Sequence, residues 1–473
     1  MHSGHSLGGL STGLGGLVPV APRVVAVSGS PPSPGGGAEW PLSVSANGRH
    51  LQRADGTPFL VVGDTPWSLP ANCTLAQIDS YLADRSGKGC TAILIEGCER
   101  AYSSQSPAYL NVDGQAPFTS MSPVNWVMND GYWDYVDYIV DECKALGMAV
   151  FITPAYTGYG GGSDGWLSDY SGASDATLQA YGAALANRFT QGNVVWVMGG
   201  DDANDGQAAG NFGSGTTPQR TKQWRIVEGI HSVRPADLVT GHTARNGTGG
   251  VSGEAYAAWT SGYTGFSLNN IYGLDGISDA PGLAATAWGR TGFPFFLIEA
   301  GYQDLDTQDI GGMVPAIQAV LGGALVGWFG GHDALWHMGS YEPNTGAAAV
   351  LSAYLAGSWL PHANFGALLK TYAWHLLQPK TDASLVTTSL GSGSSTICPA
   401  LASDGSFALI FVPNLSQSLT VAMSALAPSS VRARWWSFGD GSFSAIGTYS
   451  NSGTQGFTSP GSGAYRILVL DAA

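Results

Sequence analysis

Charged side chains are scarce. They make up 11% of the 473 residues, against roughly a quarter in an average soluble domain. The basic ones are scarcer still: 19 Lys and Arg stand against 34 Asp and Glu, a net charge of −15. No Lys/Arg-rich run occurs, so the chain repels phosphate backbones and nucleic-acid binding is excluded as a working hypothesis. No apolar stretch reaches the roughly 18–20 residues of a membrane span. The longest, Ala347 to Leu360, is interrupted by Ser352, Gly357 and Ser358 and reads as a buried helix. Cysteine is sparse: five residues, an odd count with no CxxC pair. That excludes a zinc ribbon and a disulfide framework. One isolated bridge is compatible with the count, Cys73–Cys98 being the first pair to test. No Gly-rich dinucleotide fingerprint follows the first apolar run, and no cofactor is implied.

Apolar and small residues are plentiful. Hydrophobic residues reach 44%, enough for a sizeable core and too many for general disorder. With 68 Gly and 15 Trp, the surface must be covered largely by small polar and aromatic groups, which suits neutral polyhydroxylated ligands. Residues 1–39 form a Gly/Ser/Pro-rich leader without the basic start and apolar core of a secretory signal. A glycan-facing chain is nevertheless expected in an extracellular, periplasmic or virion-associated setting. Gly4-His5-Ser6-Leu7-Gly8 matches the G-x-S-x-G elbow of hydrolases, but lies in low-complexity sequence rather than between a strand and a helix.

From residue 40 the texture changes. Asn47-Gly48 and Asp55-Gly56 predict an opening β-hairpin. Eight short apolar runs follow: Phe59–Gly63, Thr91–Ile95, Ala149–Thr153, Val194–Met198, Leu238–Gly241, Phe266–Leu268, Phe295–Ile298 and Ala324–Trp328. They read as buried parallel strands. Helical periodicity lies between them, clearest over Tyr132–Leu146. Eight β–α alternations predict an α/β fold, a (β/α)8 TIM barrel over residues 40–375, rather than an open sheet. From residue 376 short alternating strands take over, predicting an all-β sandwich over 376–473.

In such a barrel the chemistry sits at the C-terminal ends of the strands. The residues there are Asp64 and Trp67, Glu96, Glu99 and Arg100, Tyr156, Asp201, His242, Tyr272, Glu299 and Tyr302, then Trp328, His332, Trp336 and His337. Acids and aromatics gather on one rim. Two carboxylates suffice for glycosidic cleavage, one protonating the leaving oxygen and one attacking the anomeric carbon or activating water. Asp201 and Glu299 are the candidates, since each follows a strongly apolar run. Asp201 should be protonated near neutral pH, with burial and a nearby Glu299 raising its pKa. Retention of configuration would place the carboxyl groups about 5–5.5 Å apart, inversion beyond about 6.5 Å. The bland alternatives are a helix cap or loop ion pair for Asp201 and a structural ion pair for Glu299. Asp202 and Asp205 read as solvated loop acids. Asp64 and Glu96 would either bind sugar hydroxyls or tie barrel loops through Arg100 or a backbone N–H. Arg100, Tyr156, His242, Tyr272, Tyr302 and His332 are candidate sugar contacts, as are Trp67, Trp328 and Trp336. His242, His332 and His337 fit no zinc signature, and no metal is expected. Loops 97–128 and 156–172 are long enough to shape subsites.

Three motifs carry a family resemblance: Gly63-Asp64-Thr65-Pro66-Trp67, Trp196-Val197-Met198-Gly199-Gly200-Asp201 and Ile298-Glu299-Ala300-Gly301-Tyr302. Residues 41–378 resemble the apiosidase-like glycoside hydrolases (glycoside hydrolase family 140-like). The C-terminal segment is similar to the collagen-binding-type β domain that often follows them, a label taken here as no evidence of collagen binding. The resemblance implies a barrel that hydrolyses glycosides with retention, Asp201 as acid/base and Glu299 as nucleophile. Members include enzymes that release the branched pentose apiose. The expectation is a glycosidase for a pentofuranoside-type linkage, apiose- or arabinose-like, in a complex polysaccharide. Its rival is a catalytically inactive glycan-binding or adhesion protein on a virion or cell surface. A collagen-directed hydrolase lacks any metal or nucleophile motif. Oligomeric state is not legible.

Overall fold

The computed structural model describes residues 39–158, 163–202, 218–243, 253–256, 264–273, 279–299, 301–303, 313–341, 343–463 and 465–473. The leader, apart from Glu39, and its Ser6 motif lie outside the described residues.

The opening turns join three short strands, one more than the expected hairpin: β1 (Ser43–Val44), β2 (Leu51–Gln52) and β3 (Pro58–Phe59), paired antiparallel. Leu42, Leu51 and Phe59 join the apolar cluster inside the barrel and stopper the end from which its strands start. The barrel strands are β4 (Val61–Asp64), β5 (Ala92–Glu96), β6 (Ala149–Thr153), β7 (Val194–Asp202), β8 (Val239–Thr243), β9 (Asn269–Tyr272), β10 (Phe295–Glu299) and β11 (Gly327–Gly330). They form a parallel sheet in the order β8-β7-β6-β5-β4-β11-β10-β9. Its two edge strands are neighbours without a regular ladder. Ser267 N–H donates to Val239 O (2.9 Å), Thr240 Oγ1 to Leu268 O (2.7 Å), and Asn270 Nδ2 to Gly241 O (2.5 Å). The seam is thus stitched partly by side chains. It also corrects the sixth expected strand, which starts at Asn269, where the apolar run Phe266–Leu268 ends. The eighth likewise starts at Gly327, after Ala324 and Leu325 have joined the helix-side core and Val326 the barrel interior.

Strand alternation sorts the side chains. Val61, Leu94, Phe151, Val197, Phe296, Ile298 and Phe329 point inward, whereas Val62, Ile93, Ile152, Trp196, Leu297 and Trp328 face the helices. Phe151, Phe296 and Phe329 form a plug with ring centroids 4.9–5.8 Å apart. Each such pair adds about 0.5–1.5 kcal/mol beyond burial. Gly63 makes room for it, because a Cβ there would lie 2.3 Å from Phe329 Cδ1.

Asp64 follows the outward parity of β4, not the inward one that a sugar ligand needs. Its Oδ2 accepts from Tyr81 Oη (2.6 Å) and Arg85 Nε (2.5 Å) on the helix Leu75–Gly87. Arg85 Nη2 then reaches Ser358 Oγ at 3.0 Å. Asp64 therefore ties strand to shell through Arg85, not through Arg100. The stretch 347–360 is likewise not one helix. It breaks at Gly357-Ser358 between the helices Ala347–Tyr354 and Leu360–Lys370, and Leu360 itself is exposed.

The C-terminal strands are β12 (Leu377–Pro379), β13 (Cys398–Ala402), β14 (Ala408–Val412), β15 (Ser418–Ala422), β16 (Ser430–Ser437), β17 (Phe443–Ser450), β18 (Thr454–Thr458) and β19 (Arg466–Ala472). Six make an antiparallel sheet, β12-β13-β14-β19-β16-β17, and β15-β18 form a small second layer. Alternation again explains the packing. Ile410, Leu468 and Leu470 face the second layer, whereas Leu409, Phe411, Ile467 and Val469 share a core with the barrel helices. All five cysteines are buried free thiols, so the Cys73–Cys98 bridge is not formed.

Burial alone would raise the Asp64 pKa, but the Arg85 charge and the hydrogen bonds of Tyr81 and Arg85 hold it below the usual value. Its contribution to stability is present above about pH 3.9 and lost as pH falls through the folded pKa. Asp64→Ala leaves the Arg85 cation buried without its main partner and is expected to lower stability by about 3–5 kcal/mol. Urea unfolding at pH 7 measures this, and a loss under about 1 kcal/mol would contradict it.

Candidate active site

Both acid-bearing strands end irregularly. On β10 the residues alternate Phe295 out, Phe296 in, Leu297 out, Ile298 in. Strict alternation would send Glu299 outward. A register shift between Leu297 and Glu299 against β9 resets the parity, and Glu299 faces the barrel mouth. On β7 the shift falls between Gly199 and Asp202. Gly199, Gly200 and Asp201 have φ of 91°, 134° and 50°, a left-handed bend that a non-glycine residue such as Asp201 rarely enters. Bulges commonly re-aim side chains in this way beside active sites.

Gly200 is needed for a second reason: a Cβ there would stand 2.0 Å from Tyr156 Cδ2. Its absence lets Tyr156 lie against the strand and donate its hydroxyl to Asp201 Oδ2 at 2.7 Å. Thr157 Oγ1 holds the bend by donating to Gly200 O at 2.6 Å.

His242, fully buried on β8, joins the two acids. The Asp201 backbone N–H donates to His242 Nδ1 at 3.0 Å. Nδ1 must therefore be the bare nitrogen, and Nε2 carries the proton toward Glu299 Oε2, 2.9 Å away. A carboxylate oxygen of each acid and a ring nitrogen of His242 all lie within 4.8 Å of one another. That spacing would also suit a metal ion. However, both His242 nitrogens are engaged, so the ring has no spare lone pair and the donor set does not fit an ion without breaking these bonds.

Burial, above all, raises the Asp201 pKa to about 6. Glu299 adds to the rise, while His242 and the Tyr156 and Tyr272 hydroxyls oppose it. The neutral tautomer deprives His242 of most of that opposing charge. Tyr302 receives a hydrogen bond from Trp67 Nε1 (2.8 Å) and shares one with Glu299.

A cavity of about 530 Å³ brings together Trp67, Glu96, Tyr156, Asp201, Tyr272, Glu299, Tyr302 and Trp336 from the expected set. It adds Tyr102, Ser163, Asp164 and His337. The first three stand on the long loops 97–128 and 156–172; loop length was the only signal pointing at them. Asp64, Arg100, Trp328 and His332 are not at the cavity, and His242, expected as a sugar contact, is fully buried beside the acids and does not line it. Arg100 turns to Asp169 (3.5 Å) and the Trp166 ring. Trp328 follows its outward parity and donates to His362 Nδ1 at 2.9 Å. His332 accepts the Ala334 N–H (3.1 Å) and packs beside Tyr354. Asp205 and the side chain of Asp202 lie outside the described residues.

Comparison with known proteins agrees with this architecture. A solved glycoside hydrolase family 5 structure from Bacteroides vulgatus superposes with a TM-score of 0.71 at 18% identity, covering 91% of this chain and 93% of that one. Another, described as "Glycoside hydrolase", gives 0.73 at 18% identity, covering 92% and 97%. No curated protein sequence matches. Residues 381–471 match the family described as "Putative collagen-binding domain of a collagenase". Residues 45–374 match the family described as "Apiosidase-like, catalytic domain", and the chain therefore belongs to the apiosidase-like family.

Proposed function

We propose that the chain is a retaining glycosidase in which Asp201 is the acid/base and Glu299 the nucleophile. The observation that carries this is the pairing of a buried Asp201, its pKa raised to about 6, with Glu299, one oxygen of each within 4.8 Å of the other across the mouth. A gap this narrow favours direct attack by Glu299, because an inverting enzyme needs room for a water between its carboxyl groups.

In the first step Asp201 protonates the glycosidic oxygen while Glu299 attacks the anomeric carbon. The exocyclic C–O bond breaks and a glycosyl ester forms on Glu299. Tyr156 occupies Asp201 Oδ2, leaving Oδ1 to carry the proton. The His242 Nε2–H and Tyr302 steady the Glu299 carboxylate for attack. In the second step Asp201, now ionised, takes a proton from water as that water attacks the same carbon and releases Glu299. Two displacements restore the original configuration. The family description favours a pentofuranoside of the apiose or arabinose type in a complex polysaccharide. Trp67, Tyr156, Tyr272, Tyr302 and Trp336 supply the aromatic walls such a sugar would pack against.

Asp201→Asn is expected to lower kcat/KM by about 10²–10⁴-fold, most on substrates with poor leaving groups. Glu299→Gln should abolish turnover. Both variants should stay folded by circular dichroism; full activity in either would remove its assigned role. Because Asp201 must start protonated, wild-type kcat/KM should fall as pH rises through about 6. Tyr156→Phe deletes a hydrogen bond that favours the carboxylate, so the alkaline limb should move up by about one unit. A limb that stays in place or moves down would contradict that role. Gly200→Ala forces a Cβ into the Tyr156 ring and should lower both kcat and stability, the latter by about 1–3 kcal/mol, read by assay and by thermal unfolding.

A further inference from the structure

Two residues that line the cavity beside the acid pair each carry a buried polar atom without a partner among the described residues, Glu96 Oε2 and His337 Nε2. Each belongs to a side chain only 3% exposed. Leaving such atoms unpaired costs about 1–3 kcal/mol apiece, so a ligand that pairs them is favoured.

The surroundings determine what each atom can do. Glu99 lies behind both. Its Oε1 accepts the N–H groups of Arg100 (2.9 Å), Ala101 (3.1 Å) and Tyr102 (2.9 Å), and its Oε2 accepts the Ser68 hydroxyl at 2.5 Å. Ser68 has spent its only proton on Glu99. Its oxygen, 2.8 Å from His337 Nδ1, must therefore accept from that nitrogen. Nδ1 thus carries the ring proton, and Nε2 is left as a lone pair. Burial pushes the His337 pKa well down, which keeps the ring neutral. Tyr102 stacks on it at 3.8 Å and holds it in place.

Glu96 shares a hydrogen bond with the same Glu99, whose oxygens are already acceptors. Burial first, then the Glu99 and Asp164 charges, hold the Glu96 carboxyl well above the usual range. The raised pKa keeps a proton on Glu96 for the bond to Glu99, and a carboxyl that gives its one proton to Glu99 keeps acceptor capacity for a ligand.

The acidic residues that line the cavity are Glu96, Asp164, Asp201 and Glu299; no Lys or Arg lines it among the described residues. Among the described residues an anionic sugar would meet acceptors and negative charge with no cation to neutralise it. A neutral sugar brings hydroxyl donors.

Resting on the glycosidase reading, we propose that Glu96 and His337 form a hydroxyl-reading subsite that accepts two O–H donors of a neutral sugar and rejects uronates and sulfated or phosphorylated units. Neither residue enters the bond-breaking steps; both determine specificity.

The test measures binding of methyl glycosides of neutral pentoses and of hexuronic acids to the full chain by calorimetry. The variants are Glu96→Gln, Glu96→Ala and His337→Phe. At least one neutral glycoside should bind about tenfold or more tighter than every uronide. Glu96→Gln keeps a donor toward Glu99 and a carbonyl toward the cavity, so it should retain the wild-type affinity. Glu96→Ala and His337→Phe should each lose about tenfold, with thermal unfolding showing that they remain folded. If Glu96→Ala unfolds, the contrast between wild type and Glu96→Gln still decides. Equal binding of uronides, or a loss in Glu96→Gln of tenfold or more, overturns the proposal. So does failure of wild type to bind any neutral glycoside. If wild type nevertheless releases sugar from a polysaccharide and Asp201→Asn does not, the glycosidase reading stands while the subsite falls. If neutral sugars bind in the expected pattern but nothing is hydrolysed, the reverse holds.

Discussion

One hydrogen bond organises the mouth of the barrel: the Asp201 backbone N–H to His242 Nδ1, 3.0 Å long. It settles the tautomer of a fully buried imidazole and so directs the Nε2 proton at Glu299. It also requires the Asp201 amide to point across the sheet, which the left-handed bend at Gly199, Gly200 and Asp201 achieves. A side chain at 200 would close the space that Tyr156 fills. Backbone conformation, tautomer and the environment of two carboxyl groups are in this sense one feature. Such local strain is held by the surrounding structure, here by Thr157 on Gly200 and by the ladders of β7 with β6 and β8.

The barrel was legible because its strands are short apolar runs, and burial on both faces makes that signal strong. It was weakest at β9, where Asn270 replaces ladder bonds at the seam, Asn269 turns to Glu254, and polar residues do the work of a strand. The β domain was legible from alternation, and the same alternation explains why one face of its sheet merges with the barrel core.

The site was legible unevenly. Glu96 and Asp201 stand where a count along their strands puts them. Two-residue counting would have sent Asp64 and Trp328 outward, where they are; reading every strand-end residue as a ligand ignored that parity. The same counting would have misplaced Glu299, because a bulge cannot be seen in Phe-Phe-Leu-Ile-Glu. Arg100, His332, Tyr102 and Asp164 are set by loop conformation, which depends on contacts distant in sequence. His337 stood on the expected rim, but its role depends on Ser68 and Glu99, residues about 240 to 270 positions away.

The central claim is that two carboxyl groups in one cavity act by successive displacement. The most direct measurement is the anomeric configuration of the sugar first released from any cleaved glycoside, followed by proton NMR before mutarotation. The account predicts the configuration of the substrate. An initial product of opposite configuration would contradict Glu299 as nucleophile and require a water between the acids instead.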